Sequence, residues 1–316
     1  MNGPPAAQED GAQLQRLLGL VRGQPPLRTA VVHPVDALSL GAAVQAAERG
    51  LIEPILLGPA PRVRDAAAAA AIDIAPFRLI DVEHSHEAAT RACALAAAGE
   101  TAAIMKGALH TDELMEAVVA PASGLRTDRR MSHVFVLDVP DFPRPLLITD
   151  AALNIAPDLM VLRDIVQNAI DCALAMGISE PKVALLSAVE TVHPKMPSTI
   201  HAAALCKMSD RGQIVGGVLE GPLAFDNAIS EAAARTKGIA SPVAGRADIL
   251  VVPDIESGNM LAKQLSYLSH AQSAGIVMGG RVPIMLTSRS DPEASRLASC
   301  ALAMLVAQHR PSKYAR

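Results

Sequence analysis

The chain reads as an α/β protein built on a parallel sheet. Short apolar runs alternate with helical stretches in strict turn, the pattern of strands each followed by a covering helix. Only 2% of the 316 residues are aromatic and there is no Trp, so Ala, Leu, Ile, Val and Met must fill the core. Hydroxyl, carboxylate and basic side chains recur just after apolar runs, at the edge where open α/β sheets take their ligands.

Taken in order, Gln13 to Val21 has helical spacing, and Thr29-Ala30-Val31-Val32-His33-Pro34 reads as a first buried strand. Ser39 to Arg49 follows as a helix closed by Gly50, Glu53 to Leu57 as a strand, and Pro61 to Ala71 as an alanine-rich helix. Phe77 to Ile80 is a strand candidate and His84 to Ala98 a helix ended by Gly99. Ala102 to Met105 is a strand running into Lys106-Gly107, and Val134 to Val139 is an apolar run. Pro140-Asp141-Phe142-Pro143-Arg144-Pro145 packs three prolines into six residues and is taken as the boundary between two domains. Leu146 to Asp150 is then a strand, and the residues from Asn154 to Met176 a helix. Val183 to Leu186, Val215 to Leu219 and Ala247 to Val252 are further strands, with a helix from Met260. Val282 to Leu286 is the last strand, and Asp291-Pro292-Glu293 supplies a cap, a first-turn proline and an acid for the closing helix.

Composition excludes several functions. No apolar stretch reaches the roughly 18 residues of a spanning helix, and a net charge of −4 with so few aromatic residues argues against a nucleic-acid binder. The four cysteines stand far apart with no CxxC pair, which predicts buried thiols in a cytoplasmic, reducing setting rather than a zinc site. The N-terminal residues lack the apolar core of a secretory signal. No Walker loop, GxGxxG, HExxH or GxSxG is present.

Chemistry is expected first at Thr287-Ser288-Arg289-Ser290, where a strand empties into hydroxyls and a guanidinium before a helix N-terminus, an arrangement suited to anions. Lys106-Gly107 ahead of Thr111 and Asp112 repeats that logic. Arg126, Arg129 and Arg130 form a basic cluster suited to phosphate groups or to an ordinary solvated loop. Asp150, Glu190, Asp254 and Asn259 sit where strands end, as helix-start chemistry or as pocket lining.

Six blocks, Met105-Lys106-Gly107, Arg126 to Val134, Ile148 to Asn154, Glu220 to Asp226, Pro253 to Asn259 and Pro283 to Arg289, resemble the phosphate acetyltransferase/phosphate butyryltransferase family, more its butyryl-type branch. The resemblance runs from about Thr29 to Val306. It implies two α/β/α domains flanking a cleft, as in isocitrate and isopropylmalate dehydrogenases, with residues 1–139 plus 291–316 in the first and 140–290 in the second, dimer-forming domain. It implies acyl transfer between coenzyme A and inorganic phosphate, with CoA as substrate, no cofactor and no metal, in a cytoplasmic homodimer or larger homo-oligomer. Catalytic roles fall to Ser288, Arg289, Asp291 and Asp150; binding of CoA and phosphate falls to Lys106, Arg126, Arg129, Arg130, Asn154, Asp254, Asn259 and Lys263. Ser295 and Ser266 stand where acetyl-type relatives carry an Asp and an Arg, so the thiol base is left open among Asp291, Asp150, Glu190 and Asp254. The rival readings are a metal-dependent NAD(P) dehydrogenase of the same fold and a non-catalytic CoA or acyl-phosphate binder.

Overall fold

The computed structural model describes residues 11–286 and 291–309. After α1 (Ala12–Leu20) the alternation runs β1 (Leu27–Val32), α2 (Ala37–Glu48), β2 (Ile52–Gly58), α3 (Ala60–Ala69), β3 (Arg78–Asp81), α4 (Ser85–Ala97), β4 (Ala103–Lys106) and α5 (Thr111–Val119). Two strands then follow directly, β5 (Ser132–Asp138) and β6 (Leu146–Thr149). Next come α6 (Leu159–Ala175), β7 (Lys182–Leu186), α7 (Pro197–Asp210), β8 (Val218–Leu223), α8 (Phe225–Ile229) and α9 (Glu231–Thr236). The chain closes with β9 (Ile249–Val251), α10 (Ile255–Leu268), β10 (Gln272–Met278), β11 (Ile284–Met285) and α11 (Glu293–His309). Local chemistry sets the helix ends. Asp36 caps α2 by accepting from Ser39 N at 2.7 Å, and His84 caps α4 through its ring nitrogen, 3.1 Å from Glu87 N. Gly50 and Gly99 end α2 and α4 in the left-handed conformation that only glycine adopts freely.

The chain divides into two compact units, one of residues 17–130 with those from 274 on, the other of residues 131–273 with those up to 16. In the first unit the strand order is β3-β2-β1-β4-β11-β10. All of these pair in parallel except β10, which meets β11 antiparallel at Val277↔Ile284. Ala30, Val31, Val32 and all of β4 are buried, which is why these strands are continuous apolar runs. In the second unit the order is β5-β6-β9-β7-β8, with β5 antiparallel to β6 and the rest parallel. Leu137, Ile148, Ala184, Leu223, Leu250 and Val252 form its core. Asp138, at the end of β5, accepts from Gln13 N at 2.7 Å and so caps α1 from a distance in sequence.

The sheets are therefore mixed, not wholly parallel. The proline-rich stretch is not a linker either: it joins β5 to β6 inside one unit, where Arg144 bonds the carbonyls of Ala247 and Gly245 and lies 5.0 Å from the Phe142 ring centre. The division falls at 16/17, 130/131 and 273/274, not at 139/140 and 290/291. Prolines announce irregular backbone, and a rigid connection between antiparallel neighbours satisfies them as well as a hinge does. The last apolar run yields only a two-residue strand, and α10 begins at Ile255, five residues before Met260, because Asp254 caps it.

Candidate functional site

In the unit of residues 131–273, two of the sequence blocks meet beyond the C-terminal ends of the neighbouring strands β6 and β9. Asp150 follows β6 and is only 2% exposed. Its Oδ1 accepts from Ala152 N at 2.9 Å and Leu153 N at 3.1 Å, and its Oδ2 from Asn154 N at 3.2 Å and Asn154 Nδ2 at 2.6 Å. Burial raises the Asp150 pKa, opposed by these four bonds. Asn154 also donates to Met131 O at 2.9 Å. Across from this loop, Asp254 caps α10 by accepting from the Ser257 N–H and hydroxyl, both at 2.8 Å. Asn259 Nδ2 reaches Ala151 O at 3.2 Å, and Ile255 N reaches Ile155 O at 3.0 Å. Gly258 packs so tightly that a Cβ there would stand 3.0 Å from Asp150 O. Lys263 is exposed on α10. Glu190 is engaged by Asn227 Nδ2 at 3.3 Å and Lys237 Nζ at 3.4 Å. A groove of about 690 Å³ opens beside the ends of β7 and β9, lined among others by Ser187, Phe225, Pro253, Ser257 and Leu265.

In the other unit Lys106 ends β4, buried, with Nζ 3.1 Å from Leu109 O and 3.4 Å from Gly107 O. The arginine loop is tied elsewhere. Thr127 Oγ1 donates to Gly279 O at 2.6 Å and accepts from Arg129 N at 3.1 Å, while Arg281 N reaches Leu125 O at 2.8 Å. Because the turn containing Gly279 leads into β11, which runs parallel to β4, this loop stands where β4 begins and Lys106 where it ends. The structure thus joins the arginine block to Gly279-Gly280-Arg281 but does not bring it to Lys106. Arg126 and Arg130 are exposed and Arg129 is half-buried. Asp291 is half-buried two residues ahead of α11. Ser288 and Arg289 lie outside the described residues. Met278 and Met285 are buried strand residues.

Sequence reasoning passed over His33 and Glu113, and it placed His133 in a motif without a role. His133 Nδ1 is buried without a partner, and burial alone lowers the ring's pKa to about 4. The folded state therefore binds its proton less readily than the unfolded state, whose value is near 6.5. Stability is then whole above about pH 6.5 and is lost as pH falls towards 4, by at most ~3 kcal/mol. His133→Gln is expected to flatten that part of the melting-temperature profile between pH 4 and 7; an unchanged slope would assign the acid loss to other groups. The cysteines are free thiols: Cys93, Cys172 and Cys300 are buried and Cys206 half-buried. Burial raises Cys93 to about 11 and the other three to about 12, so none has the character of a nucleophile at neutral pH. Among the described residues no group of three His, Cys, Asp or Glu is placed to hold a metal, and no helix is long and apolar enough to cross a membrane.

These blocks come from one family pattern. Residues 83–304 match the family described as "Phosphate acetyl/butaryl transferase". The chain belongs to this family. Family relatives include a protein named phosphate acetyltransferase from Rhizobium meliloti, 60% identical over 299 residues that cover 95% of each chain. One named phosphate butyryltransferase from Clostridium acetobutylicum is 41% identical over 290 residues, covering 92% of this chain and 96% of that one. Of solved family structures, a branched-chain phosphotransacylase from Enterococcus faecalis V583 superposes with a TM-score of 0.78 at 30% identity, over 90% of this chain and all of that one. The mixed α/β architecture is thus the family's own, and the higher identity is to a relative named for the acetyl group.

Proposed function

We propose that this chain transfers a short acyl group between coenzyme A and inorganic phosphate, acyl-CoA + phosphate ⇌ acyl phosphate + CoA. The observation that carries this is the 60% identity to a phosphate acetyltransferase over 95% of both chains, with the family pattern spanning residues 83–304. Acetyl is the first acyl group to test, ahead of the butyryl group favoured by sequence resemblance, because identity falls to 41% against the butyryl-named relative. CoA is a substrate in this reading, and no metal or cofactor is assigned. The likeness to the fold of isocitrate and isopropylmalate dehydrogenases, the homo-oligomer and the cytoplasmic setting belong to the same reading.

The chemistry asks for three things: a held phosphate, a stabilised oxyanion and an acceptor for the thiol proton. The CoA thiolate attacks the carbonyl carbon of the acyl phosphate; the C–S bond forms, charge gathers on the carbonyl oxygen, and the C–O bond to phosphate breaks. Arg289 is assigned to the phosphate, since its planar fork meets two oxygens at once. Ser288 is assigned to the oxyanion. Asp291 is preferred over Asp150 as proton acceptor, because both Asp150 oxygens are committed to their own loop. Lys106 is read as a phosphate-side cation, and Arg126, Arg129, Arg130 and Lys263 as CoA-binding cations. Asn154, Asp254 and Asn259 are read as the residues that shape the binding loops.

The test is phosphate-dependent liberation of CoA from acetyl-, propionyl- and butyryl-CoA, repeated with arsenate and without added metal. Turnover that requires phosphate or arsenate is expected, with acetyl-CoA ranked first. Ser288→Ala and Arg289→Ala should each lower kcat at least ~10²-fold, the scale of one lost oxyanion donor. No release from any of the three thioesters would overturn the transferase reading, and near-normal turnover in both variants would overturn the placement of the reacting centre.

A further inference from the structure

In the unit of residues 131–273 the chain steps outward from β7 to β8 and then returns past β7 to β9, so strand order reverses between the neighbours β7 and β9. Their following helices leave on opposite faces. Side chains alternate along a strand: Ala184 and Leu250 belong to the core against which Leu261 and Leu265 of α10 pack, whereas Leu185 and Val251 meet Leu162 of α6 and Ala202 of α7. The crevice outside the carboxyl ends of such a pair is where open α/β sheets take ligands. Here it is nearly filled on the α7 side, where about 20 Å³ is left, and open on the α10 side as the groove of about 690 Å³. That volume lies within the ~300–1,000 Å³ of sites for small organic ligands.

The lining sets what the groove accepts. Ser257, Leu261, Gln264, Leu265, Leu268 and Ser269 form one stripe of α10 and its C-cap, recurring at helical spacing. At 1.5 Å per residue the stripe runs about 18 Å, so the groove is long rather than round. Leu186 and Val252 at the strand ends and Phe225 at the start of α8 add apolar surface, and no lining residue carries a charge. The α10 N-terminus, the kind of place that receives a phosphate in other sheets, is already capped by Asp254, whose carboxylate would repel one. The Gln264 amide and the Ser269 hydroxyl have no hydrogen-bond partner among the described residues. The occupant so described is uncharged, extended and mostly apolar, with a few groups that donate and accept hydrogen bonds. A phosphate fails the first condition and a nucleobase is too compact for the second, whereas a flexible arm of amides and methyl-bearing carbon meets all of them.

We propose that the groove along α10 takes the pantetheine arm of coenzyme A, with Gln264 and Ser269 hydrogen-bonding its amides and Leu186, Val252 and Leu265 receiving its dimethyl group. Naming CoA rests on the transferase reading; the groove's demand for an uncharged chain does not.

Ala188→Trp, which puts an indole into the groove, and Gln264→Leu test this on the full chain. Both positions are exposed, so the variants are expected to melt as the wild type does, and if one does not the other carries the test. In calorimetric titrations Ala188→Trp should weaken CoA binding about tenfold and Gln264→Leu about fivefold, the latter being the loss of one neutral hydrogen bond. Adenosine 3′,5′-bisphosphate, the nucleotide end of CoA without the arm, should bind all three chains alike. In the transferase assay KM for CoA should rise by similar factors, with KM for phosphate unchanged. The inference is overturned if neither variant changes CoA binding, or if bisphosphate binding weakens as much as CoA binding, which would seat the nucleotide in the groove. It is also overturned if Ala188→Trp lowers the mass measured by light scattering, which would give the groove to a second copy of the chain. An active enzyme with unchanged KM in both variants would remove the groove and leave the transferase reading. A wild type that binds CoA through these residues but transfers no acyl group would remove the transferase reading and leave the site, and one that does not bind CoA would overturn both.

Discussion

Asp150→Ala is expected to lower the stability of the unit built on residues 131–273 by about 3–5 kcal/mol, and turnover with it. Four donors converge on this one carboxylate, three backbone N–H groups and the Asn154 amide. Each donor left buried without an acceptor costs ~1–3 kcal/mol, and partial relaxation of the loop recovers some of that. The damage spreads beyond the loop, because Asn259 and Ile255 are tied to Ala151 and Ile155 and would lose their anchor. Asp150→Asn is the informative companion: its carbonyl keeps the acceptor for Ala152 and Leu153, while its amide turns N–H groups towards Asn154, so about half the loss should remain. As a scale, Asp254→Ala removes one helix cap and should lose about 1 kcal/mol. Urea unfolding checks the ranking. An Asp150→Ala chain that unfolds at the wild-type midpoint would mean the loop is held by other contacts.

The second large effect is expected from Gly107→Ala. No rotamer can relieve a methyl 2.3 Å from the Val32 carbonyl oxygen and 2.9 Å from that of His33, because both obstacles are backbone. The β1 and β4 ends must separate, which costs about 3 kcal/mol at the upper range of overpacking. In a unit of this size that is a fall in melting temperature of roughly 6–12 °C. Gly99→Ala is the control: it also strains a helix end, at φ 76°, but into open space, and should cost only about 1 kcal/mol. Equal melting points for the two variants would show that the contact at Val32 gives way easily.

How far these features could be read from the chain differs from one to the next. The strands β1, β2, β4 and β7 and their helices were legible because buried parallel strands and amphipathic helices print their period locally. The meeting of Ile148 to Asn154 with Pro253 to Asn259 was legible only as two separate blocks, since the pairing of β6 with β9 joins residues about a hundred positions apart. Asp150 shows the limit well. An acid at a strand end looks the same in sequence whether it faces a substrate or folds back on its own loop. β10 and the antiparallel β5–β6 pair escaped because pairing direction leaves no local mark, and the prolines between β5 and β6 spoke for a boundary more loudly than for a tight connection. His33 carries no motif at all; only the folded chain shows that its ring Nδ1 is buried without a hydrogen-bond partner.

The pairing of β4 with β11 has a consequence for the order in which the protein is made. Ile104 finds its partner in Ile284, 180 positions later on the chain. At about 5–20 residues per second, a ribosome takes roughly 10–40 s to cover that interval. Throughout it, β4 is paired with β1 on one side and has an open apolar edge on the other, the kind of edge that recruits foreign strands. The contiguous span 131–273 is meanwhile complete and free to fold. The unit built on residues 17–130 thus waits for those from 274 on, and the stretch of synthesis between β4 and β11 is the period in which this chain most needs protection from its neighbours.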